Sequence, residues 1–166
     1  TELTRRGVSV ESSAGRWQVS PGPIAGIDTV IEPDLSNAGP FIAAALVTGG
    51  RITITHWPEE TDQAGNAWTW LVPAFGGAVE RNGTDIRFTG PSELRGIDVD
   101  LGEVGELTPV VTAIAAFAST PSKLTGVAHL RGHETDRLAA LTREFNALGG
   151  KVTELDDGLA IEPAPL

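Results

Sequence analysis

Between His129 and Arg137 the chain reads His-Leu-Arg-Gly-His-Glu-Thr-Asp-Arg. Imidazoles, carboxylates and guanidinium groups crowd into one short segment. Imidazole titrates near neutrality, and a carboxylate can move protons when its neighbours tune it. Arg137 can offer a planar two-pronged fork to an oxyanion. The segment follows an expected strand, Lys123–Val127, and precedes an expected helix with its apolar stripe at Leu138, Leu141, Phe145 and Leu148. Ligands of α/β sheets gather where strands end, and a helix start carries unpaired N–H groups that suit phosphate or carboxylate. A plainer reading has Glu134 and Asp136 as ordinary first-turn acids and Arg137 as a solvated surface residue.

Composition limits the alternatives. Net charge is −10, so a nucleic-acid partner is not expected, because a phosphate backbone needs a basic face. No apolar run approaches about 18 residues, so no membrane span is expected. Cysteine is absent, which excludes disulfides, thiolate nucleophiles and Cys-ligated zinc. The histidines are His56, His129 and His133, with no HExxH spacing, so no metal site is expected.

The elements that must position these groups repeat along the chain. Ile97–Leu101 alternates like a strand, and Val110, Val111, Ile114 and Phe117 recur at helical spacing. The strand Lys123–Val127 and the amphipathic helix follow, and Gly149-Gly150 stops that helix. Lys151–Leu155 and Leu159–Ile161 make a hairpin turning at Asp157-Gly158. The order is β-α-β-α-β-β. An earlier stretch has the same order: strand Thr29–Ile31, helix 36–47, strand Arg51–Thr55, helix 64–75 ending at Gly76-Gly77, then a hairpin of Ala78–Arg81 and Asp85–Phe88 turning at Asn82-Gly83. Residues Val8–Glu11 and Arg16–Val19, turning at Ala14-Gly15, match only the closing hairpin of such a unit.

The expected fold is therefore α/β, with repeated β-α-β-α-β-β units and mixed sheets: two complete units plus the terminal hairpin of a third. Residues 1–26 form the closing hairpin of a preceding domain plus a linker containing Ser-Pro-Gly-Pro. Residues 27–166 form two units, about 27–90 and about 96–163. The absence of methionine and the incomplete first unit lead us to expect a chain cut from a longer one.

Glu134-Thr135-Asp136-Arg137 resembles the ETDR signature of EPSP synthases at the same strand-to-helix junction. Asp34-Leu35-Ser36-Asn37-Ala38-Gly39-Pro40-Phe41-Ile42-Ala43-Ala44-Ala45 is similar to the family's Asp-Ala-Ser-Ser-Ala-Ser-Tyr-Phe-Leu-Ala-Ala-Ala segment. Gly105-Glu106-Leu107-Thr108-Pro109 stands where many members have Pro-Asp before a small-residue helix. The resemblance covers essentially the whole chain and implies two domains of three such units with the active site between them. It implies transfer of the enolpyruvyl group of phosphoenolpyruvate to the 5-hydroxyl of shikimate 3-phosphate, without metal or other cofactor, and a cytoplasmic protein.

Carried over residue by residue, the resemblance makes Glu106 the acid that contacts the shikimate hydroxyls and accepts a proton. The more usual Asp is a methylene shorter. Glu134 matches the acid that delivers a proton to the methylene carbon, and Arg137 the residue that binds the phosphoenolpyruvate anion. His133 stands where many members have a Lys touching both substrates. His129 stands where others have Asn, on the shikimate phosphate side. Asp34 and Ser36 read as helix caps, His56 as a solvated or capping residue, and Trp57, Trp68 and Trp70 as packing. The family's N-terminal Lys-Ser and Arg, its Ser-Ser-Gln, its Asp-His-Arg and its late Lys have no match here, so the chain alone is expected to lack transferase activity. The rival readings are an enolpyruvyl transferase acting on a nucleotide sugar, an RNA 3′-phosphate cyclase, which the acidic charge opposes, and a non-catalytic module that self-associates through exposed apolar faces.

Overall fold

The computed structural model describes residues 2–165 and contains two compact units, meeting in sequence between Ile31 and Glu32. The first holds a single helical turn, α1 (Glu2–Arg5), and a hairpin of β1 (Val10–Ser13) and β2 (Arg16–Val19). Ser13 pairs with Arg16 across the turn, and Gly15 takes the left-handed conformation there, φ 69°. Residues Thr29–Ile31 do not form the expected strand. Their β-branched side chains favour extended backbone, but a strand is defined by a ladder, and propensity does not supply a partner. Val30 and Ile31 are exposed.

The second unit contains both repeats. In the first, α2 (Gly39–Thr48) leads to β3 (Arg51–Ile54), then through a 3₁₀ turn (Ala64–Ala67) to α3 (Trp68–Ala74) and the hairpin β4 (Ala78–Asn82) and β5 (Asp85–Thr89). In the second, β6 (Asp98–Asp100), a 3₁₀ segment (Gly102–Leu107) and α4 (Thr108–Ala116) precede β7 (Ser122–Thr125). A further 3₁₀ segment (Ala128–Gly132), α5 (Arg137–Ala147) and the hairpin β8 (Lys151–Leu155) and β9 (Gly158–Glu162) complete it. The sheet orders are β3-β5-β4 and β6-β7-β9-β8. The last three positions correspond, so the repeat expected from sequence exists in topology. Among the described residues only β6 and β7 run parallel; every other pair is antiparallel. The strand that would have paired beside β3 is the one that did not form.

Local signals explain most boundaries. Gly49 and Gly149 end α2 and α5 region with φ of 64° and 98°, which a β-carbon would strain. Two expected turns sit one residue from their anticipated place: the residues between the strands are Gly83-Thr84 and Asp156-Asp157. Helix α2 starts later than expected, at Gly39, with Pro40 in its first turn, where the missing N–H costs nothing.

One core serves both repeats. Helices α2 and α4 carry small residues and pack against each other. Ile42 and Leu46 of α2, Val111 and Ile114 of α4, Phe75, Phe88, Leu124 and Leu159 belong to a single buried cluster. Trp57 and Trp68 are fully buried, and Trp57 meets Phe88 at 5.4 Å between ring centroids in a tilted pair. Trp70, expected to pack, is substantially exposed. Among the described residues no helix is long and apolar enough to cross a membrane.

Candidate active site

The parallel pairing of β6 with β7 sets the site. Asp98, Val99 and Asp100 lie opposite Lys123, Leu124 and Thr125, so both strands end at the same edge. The segment carrying Glu106 leaves the end of β6, and the segment carrying His129 leaves the end of β7 beside it. Asp100 Oδ1 accepts from the Gly102 N–H at 2.7 Å, turning the first segment. Gly126, at φ 78°, turns the second; a β-carbon there would lie 2.2 Å from Asp100 Oδ1.

The two segments meet face to face. A β-carbon at Gly105 would sit 2.5 Å from His129 Nε2, so the imidazole lies directly on the Gly105 backbone, one residue from Glu106. The His129 and His133 rings are 6.3 Å apart. His133 adjoins Glu134, whose carboxylate pairs with Arg137 at 3.4 Å. His129 thus lies beside the backbone that carries Glu106, and His133 stands between His129 and the Glu134–Arg137 pair in sequence.

Glu106 has a partner that the sequence did not suggest. The Ser36 hydroxyl donates to Glu106 Oε1. Ser36 is not a cap: the N-cap position of α2 is Ala38, with no side-chain bond. Asp34 does act locally, accepting from the Asn37 N–H at 2.9 Å and the Asn37 Nδ2 at 2.8 Å in an Asx turn. His56 is exposed, at φ 59°, and its N–H donates to Asp85 Oδ1.

The start of α5 corrects a second expectation. Asp136 is its N-cap, and Oδ1 accepts from the N–H groups of Leu138 and Ala139, each at 3.1 Å. Those two donors are unavailable to a bound anion, because a carboxylate of the chain already occupies them. Bonds from the Ala139 N–H, then Arg131 and the Leu138 N–H, hold the Asp136 carboxyl below its ordinary range against a smaller opposing effect of burial.

Arg131 is the organiser of this connection. It pairs with Asp136 at 3.1 Å and with Glu154, and donates to the carbonyls of Leu155 at 2.6 Å and Asp156 at 3.3 Å. One guanidinium thus ties the segment before α5 to the β8–β9 hairpin. Glu154 chiefly raises its pKa further, with Asp136 adding to this against burial, so it stays cationic. Its position inside the charged segment was visible in sequence, but not that its partners lie on β8 and beyond.

Glu134 differs in character. Its side chain is 83% exposed, and that of Arg137 34%. A bond from its own backbone N–H and then the Arg137 guanidinium lower its pKa, with His133 a lesser contributor. In the unliganded chain Glu134 is an ionised carboxylate. Among the described residues no group of three or more His, Asp or Glu is arranged to hold a metal ion.

The model of the EPSP synthase (3-phosphoshikimate 1-carboxyvinyltransferase) family matches residues 2–166. The chain belongs to the EPSP synthase family. A 3-phosphoshikimate 1-carboxyvinyltransferase of Kocuria rhizophila is 59% identical over 150 residues, covering 90% of this chain and 34% of that protein. The chain thus spans about a third of the length of this curated relative. An EPSP synthase structure from Acinetobacter baumannii superposes with a TM-score of 0.76 at 24% identity, covering 98% of this chain and 39% of that one. The enolpyruvyl transferase NikO from Streptomyces tendae does so at 0.61 and 20% identity, covering 96% and 38%. These likenesses concern the fold, and agree with the mixed α/β architecture of an EPSP synthase family member.

Proposed function

We propose that this chain supplies part of the site for enolpyruvyl transfer from phosphoenolpyruvate to shikimate 3-phosphate, in the shikimate route to aromatic amino acids. The observation that carries this is the His129 imidazole lying on the Gly105 backbone, next in sequence to Glu106, with the His133 ring 6.3 Å away and next in sequence to the Glu134–Arg137 pair. In the reaction the 5-hydroxyl oxygen bonds to C2 of phosphoenolpyruvate as a proton goes onto its methylene carbon. Phosphate then leaves as that carbon gives a proton back. Glu106 takes the hydroxyl proton, and Glu134 serves the methylene carbon.

The lowered pKa of Glu134 gives Arg137 a second role. Its own backbone N–H and then the Arg137 guanidinium hold Glu134 ionised, and such a carboxylate is a weak proton donor. When the anion of phosphoenolpyruvate engages Arg137, it competes with Glu134 for that guanidinium. Losing the guanidinium and gaining a nearby anion both push the Glu134 pKa upward, toward a proton-delivering state.

The test is a chimera. The 150 aligned residues of this chain replace their counterparts in the Kocuria rhizophila relative, and phosphate release is measured. We expect turnover in the chimera, a loss of about 100-fold or more in kcat for Glu106→Gln and for Glu134→Gln, and a raised KM for phosphoenolpyruvate in Arg137→Ala. A folded but inactive chimera, or carboxamide variants at full rate, would sink the assignment. The chain alone is expected to release no phosphate. A second reading, self-association, is favoured by the exposed Phe41, Phe117 and Leu148; a solution mass of twice the chain mass would support it.

A further inference from the structure

The first repeat holds its own copy of the second repeat's signature. Glu60-Thr61-Asp62-Gln63 stands 74 positions before Glu134-Thr135-Asp136-Arg137, in the same connection ahead of the second helix. At the last position the guanidinium is replaced by a carboxamide. The two copies also differ in what they bind. Arg137 pairs with Glu134 of its own signature. Gln63 turns inward to another segment. Its Oε1 accepts from the Leu35 N–H at 2.9 Å, and its Nε2 donates to Glu32 Oε2 at 2.7 Å and to the Pro33 carbonyl at 3.0 Å. Thr61 of the same copy donates to Glu32 at 2.8 Å.

The segment so gripped ends at Ser36, the donor to Glu106. Leu35 is fully buried, so the backbone there has one place to sit. Gly65, two residues beyond Gln63, packs against it: a β-carbon at Gly65 would lie 2.2 Å from the Leu35 carbonyl carbon and 2.5 Å from the Ser36 nitrogen. Grip on one side and close approach on the other fix the peptide that carries the Ser36 hydroxyl.

We propose that Gln63 is a positioning residue for Glu106: by holding the Leu35 backbone it places the Ser36 hydroxyl that orients the Glu106 carboxylate. The proposal rests on the reading of Glu106 as a substrate-facing carboxylate. A carboxamide suits the task because it accepts and donates at once, which neither a guanidinium nor a carboxylate does. Arg at position 63 could not accept from the Leu35 N–H.

The experiment uses no substrate, so its failure is separate from failure of the transfer assignment, which the chimera reports. Amide exchange at Leu35 and the side-chain carboxyl carbon resonance of Glu106 are measured in the 166-residue chain. Gln63→Ala should speed Leu35 exchange by about tenfold or more, the equivalent of one lost hydrogen bond. It should also move the Glu106 resonance to the value seen in Ser36→Ala, with no further change in the double variant. Unchanged Leu35 exchange would overturn the proposal. So would faster exchange with Glu106 at its original resonance, since Gln63 would then merely staple a loop. If Gln63→Ala does not fold, Gln63→Glu carries the same readouts, because its carboxylate cannot donate to Glu32 or to the Pro33 carbonyl. Faster Leu35 exchange with Glu106 at its Ser36→Ala value supports the proposal, and Glu106 at its original value overturns it.

Discussion

The Ser36 hydroxyl donates to the Glu106 carboxylate across 70 residues of sequence. The two residues occupy comparable places in the two repeats, each just before the first helix of its unit. Because α2 packs against α4, the segments that enter those helices come together. The donor fills one acceptor site of a carboxylate that has several. A half-buried serine thus does for Glu106 what Arg137 does for Glu134, but with a neutral group.

Gly105→Ala tests the contact between the two segments at the end of the parallel strands. The added carbon falls 2.5 Å from His129 Nε2, and the rotatable imidazole gives way rather than the backbone. We expect the His129 ring resonances to shift while the melting temperature changes little. In the chimera, affinity for shikimate 3-phosphate should weaken by roughly tenfold, ~1.4 kcal/mol. Unshifted His129 resonances would place the imidazole elsewhere.

The α5 cap predicts a defined acid response. The folded-state pKa of Asp136 lies below its unfolded value, so its stabilising contribution is complete above the unfolded value, about 3.9. It is lost as pH falls through the folded value, below that point. Exchange at the Leu138 and Ala139 amides should therefore stay slow at neutral pH and accelerate only in strong acid. Asp136→Asn keeps a capping oxygen but not the ion pair with Arg131, and should remove the Asp136-dependent part of this acid response. Asp136→Ala should fray the helix start at neutral pH as well.

Gly39→Ala sets two effects against each other. Alanine favours a helix over glycine by about 1 kcal/mol. The new carbon would lie 2.7 Å from Cζ2 of the fully buried Trp68, which has no space to retreat. Overpacking of this kind costs about 1–3 kcal/mol and should win. Urea unfolding is expected to show net destabilisation with an unchanged slope; a stabilised variant would mean the tryptophan repacks.

Local chemistry made much of the fold legible in sequence. The three hairpins, the stripe of α5 and the left-handed glycines at Gly49 and Gly149 depend on residues a few positions apart, so periodicity and turn chemistry suffice. The segment 129–137 was legible for the same reason, since its charged groups are neighbours in the chain. Tertiary structure decided what depends on distant partners. Thr29–Ile31 had the composition of a strand but acquired no ladder. Asp136, not an outside anion, took the first N–H groups of α5, because a capping carboxylate two and three residues away is always within reach. Arg131 found Glu154 on β8, Gln63 found Leu35, and Ser36 found Glu106. Each of those pairings spans 23 residues or more and exists only once one core has packed α2, α4 and the sheets together. The sequence alone set which groups were available; packing determined which of them face each other, because hydrogen bonds act over about 3 Å and chain distance does not encode that.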